Sequence, residues 1–262
     1  MIMTRLDFLI NYLLKEDPQY AELQIPSDLQ GKRDLFRALR NVRPPKPVGE
    51  EFLRLQDEEL QAQLAEKGVV RLSQIPPLDS TLSMPGIKLW QGDITRLEVD
   101  AVVNAANNAG LGCWHPLHRC IDNAIHSAAG VQLRAECQAI LHGCTLGTGH
   151  AIITKGYNLP ARHVIHTVGP IVPDGIPTAE QELQLAQCYR SCLQLAEDNS
   201  CQSIAFCCIS TGEFRFPNRR AAEIAVHSVS RFLDGCSTPM QVVFNVFKDT
   251  DVSIYHDIFS KH

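Results

Sequence analysis

The chain has 262 residues, 45% of them hydrophobic and 20% charged, with a formal net charge of -5. That is enough chain for one large domain and an accessory element, and the acidic balance gives no basic field to hold a phosphate backbone, which argues against nucleic acid as a partner. No run reaches roughly 18 apolar residues, so no transmembrane helix is expected, and no membrane partner is expected either.

In chain order, Met1–Leu14 reads as an amphipathic helix rather than a leader, because Asp7 and Asn11 interrupt it and no small-residue cleavage site follows. With no secretion signal, the ten cysteines point to a reduced, cytoplasmic compartment. Most sit in apolar context (Phe206–Ile209) or at helical spacing (Cys188, Cys192), as buried packing residues do. A second helix is expected over Ser27–Arg40, where Leu29, Leu35, Phe36 and Leu39 recur at helical spacing. Asn41–Pro47 breaks it, since proline removes a donor and restricts its predecessor. A third helix is expected from about Gly49 to Lys67. Residues 1–78 therefore read as a small helical module, with Ile75–Asp79 as a linker, ahead of a second domain over 79–262.

From about Leu82 strands and helices alternate. Strands are expected at Ile87–Trp90 and at Ala101–Asn104, whose continuous apolar run suits burial on both faces. Helices at about 122–129 and 131–142 follow, then strands at 150–154 and 163–167, and a long helix over 179–198. A strand over Ser203–Ile209, a helix over 218–233, a strand over Met240–Phe247 and a helix over 250–260 complete the chain. This alternation predicts an α/β fold with a mostly parallel or mixed sheet covered on both faces.

The densest chemistry lies in Cys113–Asp122. Cys113, His118 and Cys120 form a C-x4-H-x-C cluster of soft donors suited to zinc. Three ligands would leave a coordination position open; His115, in the same loop, could instead close a four-ligand structural site. Asp122 opens the following helix, where it can cap free N–H groups or, beside a metal, orient a water or a sugar hydroxyl. Asn104 and Asn107, at the end of the preceding strand, combine donors and an acceptor suited to sugar hydroxyls. Asp93 follows the first strand and can cap a turn or accept from a purine amine. Ser210–Pro217 is a Ser/Thr/Gly loop at a helix start, of a kind that offers N–H groups to phosphate. The P-loop and dinucleotide-fold glycine patterns are absent.

These segments, Gln91–Thr95, Asp100–Asn107, Ile121–Gly130, Ala151–Pro170 and Ser210–Pro217, resemble the characteristic segments of macrodomains, in the same order, over about residues 84–260. Cys113–Cys120 stands where hydrolytic macrodomains carry a glycine-rich stretch. With the helical N-terminal region, this resembles the zinc-dependent subgroup, microbial protein-ADP-ribose hydrolases. The resemblance implies a three-layer α/β/α macrodomain behind the helical module, and an enzyme that removes mono-ADP-ribose from acidic side chains of a modified protein. It implies Zn2+ on Cys113, His118 and Cys120, with His115 a non-ligand. Asp93 with Ile94 would meet the adenine. Asn104, Asn107 and Asp122 would lie at the distal ribose as the catalytic set. Ser210, Thr211, Gly212, Glu213 and Phe214 would wrap the diphosphate, and Phe216, or Phe247, would pack on ribose or adenine. In that subgroup the implied partner is a lipoyl-carrier protein modified by a sirtuin-like transferase. Two other readings are a non-catalytic ADP-ribose reader and a hydrolase of free O-acetyl-ADP-ribose.

Overall fold

The computed structural model describes residues 4–78, 86–235 and 239–261. Met1–Met3, at the start of the expected first helix, and Asp79 and Leu82, around the expected linker, lie outside them. Three helices come first: α1 (Arg5–Glu16), α2 (Leu29–Val42) and α3 (Glu50–Lys67). Their starts have local causes. Thr4 and Asp7 form a reciprocal capping box at α1, the Asp28 carboxylate accepts from the Gly31 N–H at α2, and Glu50 and Glu51 put negative charge in the first turn of α3. Leu6, Leu9, Ile10 and Leu13 of α1 bury with Phe36 and Leu39 of α2 and Phe52 of α3 in a core of their own.

The remaining elements are β1 (Val70–Arg71), β2 (Ile87–Gln91), β3 (Leu97–Glu98), β4 (Ala101–Ala105), α4 (Ile121–Ala129), α5 (Val131–Leu141), β5 (Ala151–Lys155), β6 (His163–Thr167), α6 (Ala179–Asp198), β7 (Ser203–Phe206), α7 (Asn218–Gly235), β8 (Gln241–Val246) and α8 (Asp249–Phe259). Six strands form one sheet in the order β2-β8-β7-β4-β6-β5. All pairs are parallel except β5 with β6. The expected mixed α/β sheet between helices is the observed one. Asn104 and His166 share the face covered by α4 and α5. Phe206 and Phe244 point to the other, where α6 and α8 cover them and α7 lies alongside. Tyr189 of α6 packs on Phe206 (ring centroids 4.9 Å apart), and Phe244 lies against Tyr255 and Phe259 of α8 (5.1 and 6.2 Å). Each such buried ring contributes about 1.5–3 kcal/mol. The module's α2 packs outside α4 as a further layer.

Two local expectations are corrected. The strand expected through Ile209 ends at Phe206; Cys207 and Cys208 leave the sheet at its C-terminal edge, where an apolar run serves a buried loop as well as a strand. The expected linker begins inside the core: Ile75 is buried in the main cluster, its carbonyl accepts from Lys88 Nζ at 2.8 Å, and β1 just before it pairs with β3. The nine cysteines among the described residues are free thiols, with Cys188 and Cys192 fully buried on α6.

Candidate active site

The parallel strands β2, β4, β7 and β8 end on one edge of the sheet, the edge where open α/β sheets place their ligands. Their C-terminal loops border a cleft of about 1580 Å³. The walls are Gly92–Thr95, Ala105–Asn107, Cys113–Pro116, His118–Asp122 and Ser210–Phe214, with Phe247 after β8. The N-terminal module supplies a further wall through Arg33 and Arg37 of α2 and Gln63 and Lys67 of α3.

On the cleft wall Cys113, His118 and Cys120 come together: one donor atom from each residue, a sulfur or a ring nitrogen, lies within 4.8 Å of the others. The Cys113 Sγ to His118 Nδ1 distance is 3.5 Å. A thiolate and an imidazole on one tetrahedral zinc would stand about 3.5 Å apart, from bond lengths of about 2.3 and 2.0 Å. Donor chemistry and spacing thus fit zinc. His115 is outside this group; its ring stacks edge-on to His118 with centroids 5.9 Å apart, and its carbonyl accepts from Asn123 Nδ2 at 2.9 Å. Cys120 is also the N-cap of α4, where its Sγ accepts from the Asn123 N–H.

Asp122 follows on the first turn of α4 and is buried at the cleft wall. Its carboxylate accepts from Asn104 Nδ2 at 2.7 Å and from Asn107 Nδ2 at 3.3 Å. Burial pushes its pKa up to about 6, against the opposing pull of the Asn104 hydrogen bond and of Arg134. His126, one turn along α4, stands 3.5 Å from the same carboxylate. Burial holds His126 far below its ordinary pKa, so the ring is neutral.

Asn104 sits differently from the expectation of direct ribose contact. It is fully buried behind Asp122 and is not among the residues bordering the cleft. Its amide is shared between Asp122 and His166 Nδ1, 3.1 Å away. Because the amide nitrogen donates, His166 Nδ1 accepts and carries no proton. Its Nε2–H then donates to Thr154 Oγ1 at 3.0 Å, and Thr154 donates to the Val164 carbonyl. Burial takes the His166 pKa down to about 3. His126, Cys137 and His166 also lie close enough to hold a metal, but both His166 nitrogens are committed to this chain of bonds. Asn107 does border the cleft. Its Nδ2 also donates to the Gly112 carbonyl, and its Oδ1 accepts from the Ala109 N–H.

Elsewhere on the cleft wall, Asp93 Oδ1 accepts from the N–H and hydroxyl of Thr95, and its Oδ2 faces Lys67 Nζ at 3.4 Å. Ile94 is buried beneath. The Ser210–Phe214 loop forms a further part of the wall. Ser210 and Arg215 both take left-handed backbone (φ 65° and 57°), and the Ser210 carbonyl accepts from the Phe216 N–H to close the loop. Glu213 reaches across toward His118, with 3.9 Å between Oε1 and Nε2. Phe216 is corrected: it is buried in the main core and does not reach the cleft. The exposed ring at the cleft is Phe247, which follows the last strand.

Sequence reasoning missed Arg134. From α5 its guanidinium donates to the carbonyls of Leu111 and Cys113 in the cysteine-histidine loop and to those of Arg40 and Arg43 at the end of α2, and it lies 4.1 Å from the Trp114 ring centroid. Burial lowers its pKa to about 10, leaving it charged. No motif marks it, because its partners are backbone carbonyls from two distant segments. His126 could have been found from its i+4 spacing to Asp122.

The arrangement has relatives. Residues 103–225 match the Macro domain family model. The chain is 48% identical to a protein-ADP-ribose hydrolase of Treponema medium over 97% of both chains. It is 46% identical to a protein-ADP-ribose hydrolase of Staphylococcus aureus (strain MRSA252), over 98% of this chain and 96% of the relative. Among solved structures, it is similar to the Oceanobacillus iheyensis macrodomain with ADP (39% identity, TM-score 0.60, 67% of this chain and 90% of that one). It is also similar to the Trypanosoma brucei macrodomain in complex with ADP-ribose (33% identity, TM-score 0.66, 83% and 93%). The chain therefore belongs to the macrodomain family, as an enzyme of its protein-ADP-ribose hydrolase group.

Proposed function

We propose that this enzyme is a zinc-dependent hydrolase that frees mono-ADP-ribose from an acidic side chain of a modified protein. The observation that carries this reading is the position of the Cys113, His118 and Cys120 donors, on the same cleft wall as Asp122. Adenine lies at Asp93 and Ile94 and the diphosphate at Ser210–Phe214, which leaves the distal ribose and its protein ester between Asp122, Asn107 and the metal loop.

Bound to Cys113, His118 and Cys120, zinc would supply a Lewis acid at that part of the cleft wall. The protein's own groups do the placing. Asp122, ionised at neutral pH, accepts from a hydroxyl at the ribose end, while Asn104 and Asn107 fix its two oxygens. Neutral His126 and His166 keep the wall behind it free of further charge. In the reaction, water delivers hydroxide to the anomeric carbon, the bond to the ester oxygen breaks, and the side chain leaves as a carboxylate with release of one proton. The products are ADP-ribose and the unmodified protein.

Metal analysis and turnover of Cys113→Ser and Cys120→Ser test the zinc. The wild type should hold stoichiometric zinc and the variants should lose it. A Lewis acid worth several kcal/mol implies that release of ADP-ribose from modified protein falls at least about a hundredfold. His115→Ala should keep full zinc, since its ring is outside the donor group. Zinc-free variants that hydrolyse at the wild-type rate would refute the reading.

A further inference from the structure

The metal loop between Leu111 and Cys120 has no helix or strand of its own, yet its two ends and its tip must bring three donors together. Cys120 is fixed by its place at the start of α4. Cys113 is fixed through its carbonyl by Arg134. The tip carrying His118 is held from outside, by α2 of the N-terminal module.

Arg37 and Asn41 lie one turn apart on α2. Arg37 Nη2 donates to the His118 carbonyl at 3.2 Å and to Asn123 Oδ1 at 2.6 Å, with Nε on the same oxygen at 3.2 Å. Asn41 is buried; its Oδ1 accepts from the Leu117 N–H at 3.0 Å and its Nδ2 donates to Ser127 Oγ at 3.0 Å. Asn123, held by Arg37, passes the contact on by donating to the His115 carbonyl. Leu117 is in left-handed backbone (φ 57°), a conformation that L residues other than glycine avoid. It immediately precedes His118, so the side chain that holds the Leu117 N–H sets the direction in which His118 leaves the loop.

We propose that the Arg37–Asn41 face of α2 is a positioning element for the metal loop, setting His118 against Cys113 and Cys120, so that the N-terminal module is part of the active site. This rests on the zinc reading above. Arg37 and Asn41 act on the loop through its backbone and are positioning residues. A module that served only global stability would have no need to place two side chains of one helix face on consecutive residues of this tip.

The test uses the full-length zinc-loaded protein. Zinc release to excess chelator is timed for wild type, Asn41→Leu, Arg37→Met and the conservative Asn41→Asp, which keeps an acceptor for the Leu117 N–H. ADP affinity is measured beside it, because ADP reads the adenine and diphosphate subsites and lacks the ribose end. We expect Asn41→Leu and Arg37→Met to release zinc about tenfold faster or more, the usual cost of removing support behind a metal ligand. The ADP affinity of Asn41→Leu, whose side chain does not border the cleft, should stay within about twofold of wild type, well inside the 1.4 kcal/mol of a tenfold change, and Asn41→Asp should recover slow release. Unchanged release in both variants overturns the proposal and leaves the zinc reading standing. Faster release accompanied by an equal loss of ADP affinity in Asn41→Leu overturns it too, since the face would then serve only the fold. A wild type that holds no zinc overturns both.

Discussion

Asp122 shows how much a single side chain owes to its neighbours. Its place at the first turn of a helix would suit any capping aspartate, but here it is buried, with its pKa raised to about 6 and both oxygens engaged by Asn104 and Asn107. Asp122→Asn should keep zinc, which does not touch the carboxylate in the proposed ligand set, and should bind ADP-ribose within a few-fold of wild type. Its kcat should fall by about 10²–10⁴, the usual contribution of a positioned acid or base. A variant with unchanged kcat would remove Asp122 from the catalytic set. At this scale the sequence was a good guide where residues crowd one short segment. Cys113, His118, Cys120 and Asp122 are within ten residues, and local chain geometry alone keeps them close. It was a poor guide where a side chain could turn either way. Phe216 follows two residues after Phe214, yet Phe214 borders the cleft and Phe216 fills the core. Asn104, one turn of strand before Asn107, points under the cleft toward His166.

At the scale of elements, the site is the set of loops at one sheet edge, and their fit depends on close backbone approach. Gly169 follows β6 where the Ser210 loop crosses it. A Cβ there would lie 1.9 Å from Ser210 Oγ and 2.9 Å from Ile209 Cγ2. Ser210 is already in left-handed backbone and has little freedom to retreat. Gly169→Ala should therefore displace the Ser210–Phe214 loop and, if that loop holds the diphosphate as proposed, weaken ADP binding by about tenfold, roughly 1.4 kcal/mol. Zinc content should stay unchanged, because the metal loop is elsewhere. Calorimetric titration with ADP checks it, and wild-type affinity would show that the loop takes up the methyl group without cost. Helix and strand positions were legible because their apolar residues recur with the period of each structure. The limits of β7 and the existence of β1 were not. The first ends while both neighbouring strands run on, because the chain turns out of the sheet into the cleft loop, and the second is too short to show a period.

On the scale of the whole molecule, buried charge and buried neutral histidines couple stability to pH. His126 and His166 are neutral in the folded state because burial lowers both pKa values, that of His166 to about 3. The unfolded chain therefore takes up their protons first as pH falls through about 6.5, and stability is lost below that value by up to about 1.4 kcal/mol per pH unit for each. Asp122 acts in the opposite sense. Its raised pKa makes the folded state take up the proton first below about 6, which offsets one of the two histidines. Urea midpoints should therefore decline from about pH 6.5 to about pH 5 with a net slope near one histidine's worth. The Cys113→Ser/Cys120→Ser protein is the right sample, since metal release then adds nothing. A flat profile would mean that a second carboxyl compensates or that one ring is charged when folded.

The sequence by itself determined the α/β architecture, the helices before it, the order of the loops that border the cleft and the cluster of soft donors beside a carboxylate. All of these follow from periodicity, turn chemistry and closeness along the chain. Only the tertiary structure decided which groups stand behind the site: Arg134, His166, and the Arg37–Asn41 face of α2. The reason is physical. These contacts join segments tens of residues apart through backbone carbonyls and buried amides, which any polar residue could serve. Their identity is set by how the layers pack, and no pattern along the chain records it.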